Sequence, residues 1–249
     1  METAPAKKQF RADLVLSRGI SAFFQNLVPF LLLSLLIYSP FCVYTAVVLS
    51  DDLTLSSAMR LFYVISFGGL IAQLIASAAV MHGTVAQLRG ERATTLASLS
   101  VGVRRMFPVL GVGLMVGLAV MLGFMLFVVP GLMLMVKYWV AVPVAVVERA
   151  GVSESMKRSG ELVAGEGWSV FAIFVLLIFI NVGLNQVLQQ AWNIETLSLS
   201  EFKGYLAVSL AISVVTTAFG AVITAVTYHD LRVAKEEISP EEIARAILV

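Results

Sequence analysis

The chain has 249 residues, of which 59% are hydrophobic and only 13% are charged. A soluble domain carries roughly 25% charged and about 45–50% apolar residues, so this composition excludes a soluble enzyme, a disordered chain and a secreted disulfide scaffold. Its one cysteine, Cys42, excludes an internal disulfide, and its two histidines, His82 and His229, are too few for a histidine-rich metal site. We expect a membrane protein with no metal and no cofactor.

Six apolar runs are predicted to cross the membrane, since about 20 residues at about 1.5 Å each span the hydrocarbon. Pro130 and Gly131 are both residues that end helices, and almost no loop separates the third run from the fourth. They are therefore predicted to break the helix between these two runs, which then form one tight hairpin. The short fourth run is expected to extend through Glu148 into the headgroup layer. The runs are Leu27–Leu49, Leu61–Met81, Val109–Val129, Leu132–Val147, Trp168–Leu188 and Gly204–Thr227.

Basic residues lie mostly on one side of these spans. Of the 17 Lys and Arg residues, only Arg60 and Lys203 fall in the loops of the opposite side, and Lys137 alone lies inside a span. Positive charge is retained in the cytoplasm, which predicts a multi-pass protein of the bacterial inner membrane with both termini cytoplasmic. We expect a single membrane domain over 1–249, with an amphipathic N-terminal segment (1–26), a six-helix bundle (27–228) and a C-terminal tail (229–249).

A polar or amphipathic segment precedes each outward-going span. The three segments are Phe10–Gln25, Thr94–Met106 and Ser153–Gly165. They predict interfacial helices, and the whole chain is then an all-α polytopic membrane protein of three hairpins. The pattern favours three tandem repeats, although any six-span protein with two cytoplasmic loops would show a similar alternation.

Polar residues inside the spans are the candidates for a ligand site. A charge such as Lys137 costs roughly 2.5–3.5 kcal/mol at the centre of a span and often has a function, but its long stem also allows it to snorkel outward. Asn181, Asn185 and Gln189 share one face of the fifth span, in the same outer half as Lys137. Such amides either join helices or line a wet cavity, so a polar pocket with Lys137, open to the periplasm, is one of two interpretations.

Small residues predict close helix packing in the second, third and sixth spans. They indicate a compact bundle and do not identify a substrate. The residues concerned are Gly69, Ala72, Ala76, Gly113, Gly117 and Gly220.

Catalytic signatures are missing from the sequence, which has no phosphate-binding glycine loop, no metalloprotease motif and no nucleophile elbow. His229 and Asp230 are adjacent at the end of the sixth span, where a helix that leaves the membrane commonly carries polar residues. We therefore predict no catalytic residues and no enzymatic activity. A nucleic-acid partner is not expected either.

The second half of the chain carries a characteristic set of residues at the ends of its spans. The set is Pro130-Gly131, Lys137, Pro143, Glu148, Arg158-Ser159, Glu161-Leu162, Gly165, Tyr228-His229-Asp230-Leu231-Arg232 and Lys235-Glu236. It resembles the bacterial integral-membrane family described as the glycerophosphoryl diester phosphodiesterase membrane domain, and its uncharacterised six-span inner-membrane relatives. The resemblance implies a membrane module with lipid or envelope association. The soluble phosphodiesterase domain of some fusions has no counterpart in this sequence.

The functional expectation is a non-enzymatic inner-membrane module that acts as a scaffold or as a lipid- or envelope-associated partner. Its expected partners are membrane lipids and a membrane protein or a second copy. The alternative is a transporter or channel for a small molecule, lipid or ion, built around Lys137 and the amides of the fifth span. In the tail, Ser239, Pro240 and Glu242 predict the start of a short helix that docks on the cytoplasmic surface or remains free for a partner.

Overall fold

A computed structural model describes residues 10–50, 55–88, 95–192 and 198–236, and all regular secondary structure in these ranges is helical. One turn of π-helix, Val64–Gly68, joins α3 to α4. The predicted helix after Ser239 lies outside the described residues. The helices are α1 (Ala12–Gln25), α2 (Leu27–Ser50), α3 (Leu55–Tyr63), α4 (Gly69–Leu88), α5 (Thr95–Arg104), α6 (Met106–Leu126), α7 (Val128–Lys137), α8 (Ala141–Val147), α9 (Val152–Val163), α10 (Gly167–Ala191) and α11 (Leu199–Glu236).

Six stretches of these helices are long and apolar enough to cross a membrane, which confirms the all-α polytopic class. The sixth stretch has 36 residues, about 54 Å of helix against about 30 Å of hydrocarbon, so it continues well beyond the apolar layer. The stretches are Leu27–Val48, Met59–Leu88, Met106–Leu126, Val128–Val147, Gly167–Ala191 and Glu201–Glu236.

The three amphipathic segments form the short helices α1, α5 and α9, each of which precedes a pair of spans. They pack onto the bundle through small residues. On α1, a Cβ added to Gly19 would lie 2.4 Å from Cδ1 of Ile223 in α11, and on α5 a Cβ added to Gly102 would lie 3.0 Å from the carbonyl oxygen of Ile75 in α4. A larger side chain at position 102 would press against the backbone of α4, whereas one at position 19 would meet the tip of the Ile223 side chain.

The described core lies mainly at the end of the bundle where α1, α9 and the last turns of α11 meet. We call this the termini end, and the opposite end the far end. Val15 of α1, Val85 of α4, Leu162 of α9 and Tyr228 of α11 are all at most 2% exposed there. At the far end, by contrast, large apolar side chains of α6 and α10 point outward, as expected for surface in contact with lipid. These include Leu122, Met125, Phe179 and Val187.

The hairpin of the third and fourth spans turns three residues earlier than the sequence predicts. Phe127 is extended between α6 and α7, and Pro130 and Gly131 lie inside the first turns of α7. Proline is tolerated there, because the first amides of a helix have no intrahelical partner. Gly131 instead permits a close crossing, since an added Cβ would lie 2.5 Å from the Phe124 ring.

The fourth span is discontinuous. Residues 138–140 form a turn between α7 and α8, and Pro143 lies in the first turn of α8. Pro143 has no N–H to donate to the carbonyl of residue 139, and its ring would clash with that carbonyl in a continuous helix. The span therefore breaks near its middle. The last helix of this span, α8, ends at Val147 with Glu148 as its C-cap, and the extension into the headgroup layer stays a prediction.

Candidate functional site

The break in the fourth span exposes a backbone carbonyl that α9 binds. The amide of Ala141 donates to the carbonyl of Tyr138 at 3.1 Å, whereas an uninterrupted α-helix would have paired it with the carbonyl of Lys137. The hydroxyl of Ser159, in the buried face of α9, donates to that Lys137 carbonyl at 2.9 Å. The amphipathic helix thus satisfies a polar group that the proline break leaves unpaired.

The side chain of Lys137 lies beside α9. A Cβ added to Gly160 would be 3.0 Å from Cε of Lys137, and the ammonium nitrogen lies 5.4 Å from the centre of the Tyr138 ring, within the range of a cation–π contact. Because α9 belongs to the termini end, Lys137 faces that end and not the far half of the bundle. Lys137 lies midway along the span Val128–Val147, and its predicted placement in the outer half stays a prediction.

Lys137 lines a groove of about 1020 Å³ between α6, the break and α9. Lys157 and Glu161 of α9 contribute the other charged side chains, and Leu114 and Met115 of α6 form an apolar wall. Neither lysine forms a salt bridge with a described residue, whereas Glu161 lies 3.8 Å from Arg158. We call this the lysine groove; it combines two available cations with an apolar wall.

Next to the groove, a network of charged side chains joins three elements. Arg158 of α9 contacts Glu148 at 3.4 Å and also forms an ion pair with Glu236 at the end of α11. Tyr228 donates its hydroxyl hydrogen to Glu148 at 2.8 Å, and Arg232 pairs with Glu236 at 2.8 Å. We call these five residues the termini network. The charges of its two carboxylates and two guanidinium groups cancel. Its ion pairs and its hydrogen bond connect α9, the end of α8 and the end of α11.

The first helix is held to the same end of α11. Arg18 of α1 contacts both carboxylate oxygens of Asp230 at 3.0 Å, and Nδ1 of His229 lies 3.2 Å from Asp230. Lys235 donates to the carbonyl of Ala164 at 2.5 Å, just before Gly165, whose φ of +85° ends α9. His229 and Asp230 thus take part in helix contacts.

Of the fifth-span amides, Asn181 lines a different depression, on the other side of the break. Asn181 lines a space of about 390 Å³ together with Trp139, Gln73 and Thr216. Asn185 donates to the carbonyl and to Oδ1 of Asn181, at 2.8 and 3.2 Å. We call this space the amide depression.

Lys137 and the amides therefore do not line one cavity in the described part of the chain. Residues two positions apart across the break point in different directions, Lys137 into the lysine groove and Trp139 into the amide depression. Gln189 is exposed on α10, outside both spaces. Two positions along a helix correspond to a rotation of about 200°, so the two side chains lie on nearly opposite faces of the fourth span.

The small residues differ in their packing. Ala72 and Ala76 are buried in a cluster with Tyr38 and Val214, and a Cβ on Gly113 would touch Leu74 at an ordinary 3.6 Å. A Cβ added to Gly69, Gly117 or Gly220, by contrast, would meet no described heavy atom within 4 Å. The tight crossings occur at other glycines, among them Gly19 and Gly102.

Sequence reasoning missed three residues that line these spaces. Gln73 is a lone amide in the second span, and a polar residue in a span is a signal that could have identified it. Trp139 resembles an ordinary interfacial aromatic in the sequence, and Lys157 an ordinary surface charge. Only the break in the fourth span and the docking of α9 give these two residues their surroundings.

Comparisons of the chain with protein-family models, with curated proteins and with solved structures find no match. Among the described residues, no group of three or more histidine, cysteine and acidic side chains is placed to hold a metal ion. The geometry of the two spaces and of the network is therefore the basis for a functional proposal.

Proposed function

We propose that this protein is a non-enzymatic module of a bacterial inner membrane that binds anionic phospholipid in the lysine groove. The observation that carries the proposal is the pairing of Lys137 and Lys157 with the apolar wall of α6. A phospholipid presents the matching arrangement, a phosphate next to an acyl chain. Ammonium groups bind phosphate as point charges, and the wall formed by Leu114 and Met115 suits the first carbons of a chain.

The position of the groove supports the same ligand. It lies at the end of the bundle that carries most of the basic residues, which we propose to be the cytoplasmic end. A juxtamembrane lysine contributes about 1 kcal/mol of attraction to anionic lipid. Glu161 would oppose this attraction, but Arg158 lies close to its carboxylate. The groove therefore presents a positive potential to a headgroup.

The termini network supports a structural role for the module. It ties α9, the end of the fourth span and the end of α11 together without leaving a carboxylate available for general acid or base chemistry: Glu148 and Glu236 are both engaged by Arg158. The residues that carry the resemblance to the phosphodiesterase membrane domain include these partners. We propose that they hold the lipid site in shape.

Native mass spectrometry with retained lipids tests the proposal. Lys137→Gln and Lys157→Gln are each expected to weaken retention of phosphatidylglycerol about fivefold, and the double variant about 25-fold, at roughly 1 kcal/mol per lysine. Lys203→Gln removes the same charge at the far end and serves as the matched control. Equal retention by the double variant and this control would contradict the proposal.

A second candidate function is transport of a small molecule, and the discontinuous fourth span favours it. Membrane transporters commonly bind their substrates beside broken helices, and the amide depression lies beside the break in the fourth span. Solute uptake into vesicles that contain the protein, compared with empty vesicles, tests this candidate. We expect the Asn181→Leu variant to lose uptake and the Gln189→Leu variant to retain it. This result would support transport over a purely structural role.

A further inference from the structure

The end of α11 lies at the rim of the lysine groove. The ammonium group of Lys235 donates to the carbonyl of Ala164 at 2.5 Å, and Ala164 lines the groove. Glu236, the last residue of α11, forms an ion pair with Arg158, which also lies 3.8 Å from Glu161 in the lining of the groove. The chain that follows Glu236 therefore starts beside the groove.

The segment after α11 has a net negative charge and a predicted apolar face. Residues 237–249 contain three glutamates and one arginine. Ile243, Ala246 and Ile247 are spaced by three positions and then by one, so they share one face of the helix that is predicted after Ser239. A helix of about ten residues is marginal by itself in water, so it needs a surface to pack against.

The lysine groove offers the opposite charge and an apolar wall. In the described part of the chain, neither Lys137 nor Lys157 forms a salt bridge, and Leu114 and Met115 form the wall. The volume of the groove is about 1020 Å³, whereas two turns of helix, about 10 Å wide and about 11 Å long, occupy roughly 850 Å³. A short acidic amphipathic helix therefore matches the groove in charge, polarity and size.

The connection from α11 is long enough for such a helix to reach the groove. Glu241 is five residues beyond Glu236, a distance of up to about 17 Å in extended chain. Pro240 disfavours a helical conformation at Ser239, so the sequence predicts a change of direction there. Because Glu236 already contacts α9 through its ion pair, the segment can reach the lysine of α9 without any movement of α11.

From these features we infer that residues 237–249 bind in the lysine groove of their own chain. Glu241 and Glu242 face Lys137 and Lys157, and the apolar face of the segment packs on the wall of α6. The segment takes the place that we propose for an anionic phospholipid, so the two exclude each other. This competition rests on the proposed function, whereas the docking of the segment does not.

Disulfide cross-linking in the full chain tests the docking. Cys42→Ala removes the native thiol. Ile243→Cys is then combined either with Met156→Cys, in the lining of the groove, or with Glu154→Cys, at an exposed position of the same helix outside it. Each variant is oxidised in phosphatidylcholine nanodiscs that hold one chain. We expect position 156 to cross-link about tenfold faster than position 154, because positions two apart lie on nearly opposite sides of a helix.

Charge variants of the position-156 pair test which groups hold the segment. Glu241→Gln combined with Glu242→Gln, the double-glutamine variant, is expected to slow cross-linking about fivefold, since two partly exposed ion pairs are lost. Lys157→Gln should slow it as well, and should have a smaller further effect in the double-glutamine variant. Glu154→Gln removes an acidic charge from the same end outside the groove and should leave the rate unchanged. Circular dichroism confirms that each variant is folded.

Phosphatidylglycerol tests the competition. Its addition to the nanodiscs at increasing mole fraction should slow cross-linking at position 156. In native mass spectrometry, the double-glutamine variant should retain about fivefold more phosphatidylglycerol than the unchanged chain, because a groove that is occupied about four-fifths of the time binds its ligand about fivefold more weakly. Glu154→Gln is again the control and should not increase retention.

Three outcomes would overturn the inference. The first is equal cross-linking at positions 154 and 156. The second is a cross-link that forms only between two chains in micelles, because the segment would then bind a second copy. The third is cross-linking at position 156 that phosphatidylglycerol does not slow although the chain retains this lipid. Failure of the proposed function is distinguishable: the double-glutamine variant would retain no phosphatidylglycerol, which contradicts lipid binding, while a persisting preference for position 156 would still support the docking.

Discussion

The two ends of the bundle share the same six spans but are held together differently. At the termini end, α1 and α5 dock on the spans at glycines, and α9 docks through Ser159 and the termini network. At the far end, α6 and α10 expose large apolar side chains such as Phe179 and Met125. Lipid contributes no hydrophobic driving force between spans, so the closely packed termini end is the part that holds the fold. The predictions below test this difference, from the largest expected effect to the smallest.

Loss of Arg158 should cause the largest effect. Arg158→Met leaves Glu148 and Glu236 facing each other without their shared cation. We expect a loss of about 3 kcal/mol in the free energy of unfolding, the lower end of the range for a broken buried pair, since the arginine side chain is 28% exposed. Unfolding in mixed micelles measures it.

The control for this change is a second arginine at the same end. Arg149 is exposed and forms no ion pair with a described residue, so Arg149→Met should change stability by less than about 0.5 kcal/mol. In the Arg158→Met background, Glu236→Gln should restore part of the loss. If the two arginine variants are equally stable, the network does not hold the termini end.

Glycine substitutions compare a tight contact with an open surface. Gly102→Ala forces a Cβ to within 3.0 Å of the backbone of α4, and we expect a loss of about 1–3 kcal/mol. Gly117→Ala meets no described neighbour and should instead gain roughly 0.5–1 kcal/mol from helix propensity. Thermal aggregation in detergent measures both, and shifts of the same sign would contradict the comparison.

The hydrogen bond across the break should have a smaller effect. Ser159→Ala removes the donor to the Lys137 carbonyl and should cost about 1 kcal/mol. Ser153→Ala, an exposed serine of the same helix, is the matched control. Hydrogen exchange provides the measurement: the amides of α8 and α9 should exchange faster in Ser159→Ala only. Unchanged exchange would mean that α9 does not stabilise the broken span.

Relief of backbone strain should give the smallest effect. Arg149 has a φ of +57° in the turn between α8 and α9, a conformation that costs a residue with a Cβ about 1–2 kcal/mol. Arg149→Gly should therefore stabilise the protein by about 0.5–1 kcal/mol after the entropy of glycine is subtracted. A lower melting temperature for Arg149→Gly would show that another contact of Arg149 matters more.

Individual residues show where prediction from sequence succeeded and where it failed. The six spans and three short helices follow from apolar runs and from helical periodicity, which are local properties of the chain. Pro130 and Gly131 predicted the right hairpin but the wrong turn, because proline is compatible with the first turn of a helix as well as with its end. The contact of Lys137 with α9 cannot be predicted from the sequence, because it depends on the break in the fourth span and on the helix that packs against it.

Hydropathy and charge by themselves determine that this chain is a six-span helical membrane protein, since lipid requires about 20 consecutive apolar residues per span whatever the neighbours are. The tertiary structure alone decides which polar residues meet. The turn between α7 and α8 leaves the Lys137 carbonyl without its helical partner, and α9 binds this carbonyl through Ser159. These contacts form between separate helices, so they cannot be predicted from the hydrophobic periodicity of any one helix.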